Sequence, residues 1–183
     1  MTHLELMDFL DYWDKKDKWL FTLNHFAVCF HKESLQNLKI SLSRLSKKGY
    51  IIHVSKGLYA NPRTRCSMLF QEYEVANHLR NKGYSYLSLE ALLSQEGLIS
   101  QIPNRLTFVS LKFSHTYHTP YGIIEYVQKK ENPERFFDDC YYDENCQVWV
   151  ANPKKAIDDI YRFNRSVDLY EEQKMKDGGY YGL

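Results

Sequence analysis

Gln36, Asn37, Ser43, Arg44 and Lys47 are side chains of the types that hydrogen-bond to base edges in nucleic acid. Arg and Lys donate to guanine O6 and N7, and Asn and Gln pair in bidentate fashion with adenine. Around them lie Lys32, Lys39, Lys48, Lys56 and Arg63, whose charges suit phosphate oxygens. Residues 30–65 hold eight Lys and Arg against the single Glu33, a net +7 in a chain that is only +1 overall. A solvated, lysine-rich helix end would account for part of this excess. Combined with the pattern of elements around it, the charge favours contact with double-stranded DNA.

Those elements follow from spacing. Leu35, Leu38, Leu42 and Leu45 recur every three or four residues, so they form one helical stripe expected to be buried. The candidate base-reading residues then face away from it, with Ile40 in their midst. Ile40 either covers a thymine methyl in a major groove or packs beneath a neighbouring loop. Ser34 is placed to cap this helix and Gly49 to end it in a left-handed turn, with Lys47 and Lys48 at the negative end of the helix dipole. Tyr50 to Val54 predicts a strand, Ser55-Lys56-Gly57 a turn and Leu58 to Ala60 the returning strand, closed by Asn61 and Pro62. Upstream, residues 3–13 predict a helix with Leu4, Met7, Phe9, Leu10 and Trp13 as its apolar surface. After the charged DKKDK, Trp19, Leu20 and Phe21 lead to Thr22, the N-cap of a second helix bearing Leu23, Phe26, Ala27 and Phe30. Three helices and a hairpin within residues 1–65 predict a winged helix-turn-helix that reads an inverted repeat as a pair.

The remainder has the opposite charge. Eleven basic against six acidic side chains give +5 up to residue 65, and thirteen against seventeen give −4 after it. Residues 66–183 are expected to form a second domain. Leu69, Tyr73, Ala76 and Leu79 predict a helix over about 67–81, with Gly83 beyond it. Ser88 is placed to cap LEALLSQ, and Gly97 to end it. RLTFVSLKF at 105–113 and YGIIEYVQ at 121–128 predict two strands, and 147–151 a third. Asn152 and Pro153 open a helix with Ala156, Ile157, Ile160 and Tyr161 toward the core. One more charged helix is expected before a frayed GGYYGL. The expected class is thus α+β, an N-terminal winged helix-turn-helix followed by a small mixed α/β domain with a short sheet.

Other chemistry is weakly represented. The 183 residues are 44% hydrophobic, with 15 tyrosines and 10 phenylalanines, which suits an ordered protein. No apolar run approaches the roughly 20 residues of a membrane span, and MTHLELMDFLDYWDKKDK does not read as a signal peptide, so no membrane contact and a cytoplasmic location are expected. Cys29, Cys66, Cys140 and Cys146 form no CxxC pair, and Cys29 is expected to be a buried thiol. The histidines are scattered; His115 and His118 are expected on a surface. Glu125, Asp138, Asp139, Asp143, Glu144, Asp158 and Asp159 could serve an enzyme, yet Asp158 and Asp159 point about 100° apart on a helix. Neither a phosphate loop, a nucleophile elbow nor HExxH occurs. No catalytic residue, metal or cofactor is expected. The acidic, tyrosine-rich stretch from Asp138 to Glu144 is either a solvated loop or a dock for a basic protein.

Several blocks resemble a known family. They are Leu42-Ser43-Arg44-Leu45, Lys48-Gly49-Tyr50-Ile51, Lys56-Gly57-Leu58-Tyr59-Ala60, Ser88-Leu89-Glu90-Ala91-Leu92, Gly97-Leu98-Ile99, Pro103, Thr119-Pro120-Tyr121-Gly122 and Pro153 to Tyr161. In this order, from about 42 to 163, the chain resembles the AbiEi-like antitoxin and transcriptional-regulator family of type IV toxin-antitoxin systems. Lys154 departs from that family's usual acidic residue, and many relatives continue with further helices. If those helices are needed to neutralise a toxin, DNA binding alone is expected. The resemblance implies a repressor of its own promoter that opposes a nucleotidyltransferase-like toxin, usually without a tight complex. The alternative is a stand-alone winged-helix regulator, or a protein-binding module, without antitoxin activity.

Overall fold

Thr2 opens the first helix with a capping box: its hydroxyl accepts from Glu5 N–H, and the Glu5 carboxylate accepts from Thr2 N–H at 2.7 Å. This computed structural model describes residues 1–66, 69–79, 84–112 and 114–178. Among them it is a mixed α+β protein with seven helices and two sheets, divided into two compact units, Met1–Gln71 and Glu72–Leu183.

The first unit comprises α1 (His3–Asp14), β1 (Leu20–Thr22), α2 (Leu23–Cys29), α3 (Leu35–Lys47), β2 (Ile52–Ser55) and β3 (Leu58–Ala60). Its strands form an antiparallel sheet in the order β1-β3-β2, with a bulge between His53 and Ser55. Leu6, Phe9, Leu10, Phe21, Phe26, Leu42, Leu45, Ile51 and Tyr59 make one core, in which the Phe9 ring lies 5.0 Å from Phe21 and 4.9 Å from Phe26. Burying each leucine contributes about 1.5–3 kcal/mol. Ser34 caps α3 by accepting from Asn37 N–H, and Gly49 sits at φ +77° just beyond it, where a Cβ would be strained. Leu23 N–H donates to Gly57 O at 2.8 Å, which fastens the β2–β3 turn to the start of α2.

Several expectations for this unit need correcting. Trp19, Leu20 and Phe21 do more than lead into a helix, because Leu20–Thr22 is the strand β1, paired across from Leu58–Ala60. A three-residue strand has no alternation of its own to read. Leu35 is outside the leucine stripe's burial at 53% exposed, and Leu4 likewise at 72%, although Leu38 and Leu6 in the same first turns are fully buried. Leu6 takes the buried place on α1. Cys29 is exposed, since α2 is only two turns long and buries Phe26 alone.

The second unit comprises α4 (Gln71–Leu79), whose first residue closes the first unit, then β4 (Ser85–Leu87), α5 (Leu89–Gln95), β5 (Arg105–Ser110), β6 (His115–Thr119), β7 (Gly122–Gln128), β8 (Cys140–Asp143), β9 (Val148–Ala151), α6 (Pro153–Phe163) and α7 (Val167–Gly178). The expected first turn and end of α4 fall partly on residues 67–68 and 80–83, outside the described residues, as do 113, the end of the strand expected over 105–113, and 179–183 of the tail. The sheet is larger than expected, six strands in the order β6-β7-β5-β4-β9-β8. Pairings alternate between antiparallel and parallel, with β5–β7 and β4–β9 the parallel ones. Side chains alternate between its faces. Tyr126 and Phe108 stack on the face where the Tyr126 hydroxyl donates to Ala76 O of α4. Tyr86, Thr107 and Glu125, one residue out of phase, meet α5, α6 and the residues just after α6.

The strand β8 corrects the loop expected from Asp138 to Glu144: Cys140–Asp143 pairs with β9 at the sheet edge, leaving Tyr141 and Tyr142 about half exposed. On α6, Asn152 caps and Pro153 follows as expected, and Ala156 and Ile160 are fully buried. Tyr161 is instead exposed, and Ile157 only half-buried, while Lys155 and Asp159 take places in the interior.

Candidate nucleic-acid interface

The exposed side of α3 follows from the burial of Leu38, Leu42 and Leu45. Gln36, Asn37, Lys39, Ile40, Ser43, Arg44, Lys47 and Lys48 are all solvent-exposed. Lys39, Ile40, Ser43, Arg44, Lys47 and Lys48 border one shallow depression along the helix. Thirteen residues give α3 a length of about 20 Å, and its diameter with side chains, about 10–12 Å, matches the roughly 12 Å width of a major groove. Lys32 is exposed in the turn before α3, and Lys56 is exposed between β2 and β3.

Of the ten candidate contacts, Arg63 stands apart: its guanidinium donates to Asp11 at 3.1 Å, between two exposed side chains. None of the other nine side chains has a hydrogen-bond or ion-pair partner among the described residues. Six of those nine are cationic, and none forms an ion pair with a carboxylate among the described residues. The Arg63–Asp11 pair spans 52 residues and has no local sequence pattern that would reveal it.

A second polar cluster went unread in the sequence. Asp159, fully buried, accepts from Lys129 Nζ at 3.0 Å, from the Tyr86 hydroxyl at 3.0 Å and from Ser88 Oγ at 2.9 Å. Lys129 also pairs with Glu131 at 3.1 Å. Lys155 Nζ donates to the carbonyls of Phe136 and Asp138 and lies 4.8 Å from the centre of the Tyr86 ring. Ser88 therefore does not cap α5. Leu89 adopts φ +60°, and the Ser88 hydroxyl turns to Asp159 instead. Burial, with Asp159 beside it, pushes the Tyr86 hydroxyl far above its ordinary pKa. Burial also raises the Cys140 thiol to about 11 against the pull of Lys155, so it stays protonated at neutral pH. Every oxygen of Asp159 is taken by a neighbour, an arrangement that holds β4, the residue after β7 and α6 together. Among the described residues, no group of three or more His, Cys, Asp or Glu gathers as for a metal ion.

A neighbouring cluster closes the sheet's other half. Arg165 makes two parallel hydrogen bonds to Glu125, each 3.0 Å, and one to Glu90 at 2.9 Å, while Arg105 reaches Glu125 at 3.4 Å. Burial pushes the Glu125 carboxyl up, but the bonds and charges of Arg165 and then Arg105 outweigh it and hold the carboxyl below its ordinary value. A carboxylate whose folded pKa is depressed stabilises the fold above the ordinary glutamate range, and that contribution is lost as pH falls through the lowered value. Glu125→Gln is accordingly expected to flatten the acid limb of the stability profile without abolishing folding. Urea midpoints measured across that range check this; a profile parallel to that of the unaltered protein would refute it.

No family model and no curated protein matches the chain. No helix among the described residues is long and apolar enough to cross a membrane.

Proposed function

We propose that this protein is a DNA-binding transcriptional autorepressor and antitoxin of a type IV toxin-antitoxin system, with residues 1–65 a winged helix-turn-helix. In this reading α3 enters the major groove, and the β2–β3 hairpin is the wing that brings Lys56 to the backbone. The observation that carries it is the outward face of α3: amide, hydroxyl, guanidinium and ammonium groups, all exposed, with no carboxylate paired to them among the described residues. Nucleic acid is the polyanion that such a helix fits, and the helix-strand-helix-helix-strand-strand order supports the winged form. The ordered blocks shared with the AbiEi-like family support the antitoxin role against a nucleotidyltransferase-like toxin, in the cytoplasm and without a tight complex.

Gel shift with the DNA upstream of the protein's own operon tests the repressor role; absence of any shift at low salt would defeat it. Co-expression with a nucleotidyltransferase encoded by the adjoining reading frame tests the antitoxin role, and unrelieved toxicity would defeat that part alone. Within the interface, Asn37→Ala is expected to relax discrimination between related operators by about 1–3 kcal/mol, if it pairs with an adenine edge. Binding of matched and mismatched duplexes by the variant checks this, an equal loss on both being the adverse result.

One observation favours a second reading, a protein-binding module. The strand β8 lies at the sheet edge with Tyr141 and Tyr142 half exposed beside Asp138, Asp139, Asp143 and Glu144, a surface suited to a basic partner. A protein that shifts no DNA but retains a basic peptide through β8 would establish this reading in place of the first.

A further inference from the structure

We infer that Ile40 is a base-reading residue, specific for the 5-methyl group of thymine, at the centre of the α3 interface; this rests on the DNA reading above. The side chain is 59% exposed, so it does not pack beneath a loop. Its neighbours along the helix surface, three and four residues away on either side, are Gln36, Asn37, Ser43 and Arg44, all exposed and all polar. Lys39, Lys47 and Lys48 complete the rim of the same depression. An aliphatic group held in water inside a cationic, hydrogen-bonding face gains nothing for the isolated fold. A major groove offers it one apolar partner among the four standard bases, the thymine methyl. Ile is stiff at χ1 in a helix, so little side-chain freedom is lost when it docks.

The flanking residues fix where that thymine lies. Asn37 and Arg44 are three and four residues away, about 4.5–6 Å along the axis, which corresponds to one or two base-pair steps. The thymine therefore belongs within about two base pairs of the positions these side chains contact, once in each half-site if the protein binds as a pair.

The experiment uses the full chain to select duplexes from a random library, then replaces each thymine of the selected site by uracil in turn. Loss of one methyl from an apolar contact is expected to weaken binding about four-fold at a single position per half-site. Placing 5-methylcytosine there in place of cytosine is expected to restore part of the contact in a site that lacks the thymine. Ile40→Ala, at an exposed position, should fold normally and bind thymine and uracil sites equally; Ile40→Gln, polar and of similar size, should do the same. Sequence-selective binding that is indifferent to uracil at every position, or a four-fold preference that survives in Ile40→Ala, overturns the role of Ile40 and leaves the DNA reading standing. Failure to select any duplex overturns both.

Discussion

Replacing Lys39, Lys48 and Lys56 together by alanine is expected to lower affinity for every DNA sequence by roughly two to three orders of magnitude at about 0.1 M salt. The size follows from counterion release: each phosphate contact adds about 0.9 to the slope of log affinity against log salt, so three lost contacts remove about 2.7. All three lysines are exposed and have no partner among the described residues, so their removal leaves no buried group behind. The urea midpoint should accordingly be unchanged within the usual ±0.5 kcal/mol of surface substitutions. Arg63→Ala supplies the contrast. That guanidinium is already held by Asp11 at 3.1 Å, and its loss should change the salt slope by much less than one lysine does. Fluorescence anisotropy over a series of salt concentrations reads both variants. A triple variant with the salt slope of the unaltered protein would mean that the lysines do not touch phosphate.

The largest effect on stability is expected at Asp159. Asp159→Ala takes the fully buried counter-charge from Lys129, itself only 7% exposed, leaving it Glu131 alone at 3.1 Å, and leaves the Tyr86 and Ser88 hydroxyls without their carboxylate acceptor. Breaking a buried pair in this way costs about 3–5 kcal/mol, a large part of the roughly 5–15 kcal/mol that holds a domain folded. Asp159→Asn should cost less, because one oxygen remains, though its NH2 must then face a donor. Joining Lys129→Met to Asp159→Ala should recover part of the loss by removing the buried ammonium, less the cost of leaving Glu131 unpaired. Hydrogen exchange localises the effect: amides of β4, β9 and α6 should lose protection while those of α1 and α3 keep theirs. Unchanged exchange in β4 and α6 would show that the network contributes nothing.

Legibility in the sequence tracked the range of the interactions. The helix α3, its Ser34 cap, its Gly49 stop and the hairpin after it are set by residues within a few positions of one another, and all were readable. The same holds for Asn152 and Pro153 at the start of α6. Asp159 meets Ser88 across 71 residues and Tyr86 across 73, and nothing near Ser88 distinguishes an N-cap from a ligand of a distant carboxylate. The spacing on α6 singles out Ala156, Ile157, Ile160 and Tyr161 for the core and says nothing of Lys155 and Asp159; these are buried because the sheet brings them donors and carbonyls that only the tertiary fold assembles. The edge strand β8 was hidden by the acids in and around it, Asp138, Asp139, Asp143 and Glu144, which are depleted in strands but acceptable where one flank is open to water. On α3, the exposed polar face was legible from helical phase alone, whereas the engagement of Arg63 by Asp11 was not.

The pairing of β4 with β9 has a consequence for the order in which the molecule forms. Tyr86 meets Trp149 and Leu87 meets Val150 in parallel register, so β4 keeps an open flank until more than sixty further residues have been synthesised. The unit Met1–Gln71 draws its core and its sheet from its own residues. Translation at about 5–20 residues per second delivers that unit first, with the following unit still waiting for its central strand partner. Loop closure over such a distance is slow relative to the local contacts of α1 to β3. The ribosome thus releases the basic half in finished form while the acidic half is still nascent, and the interval between them is set by the length of chain separating β4 from β9.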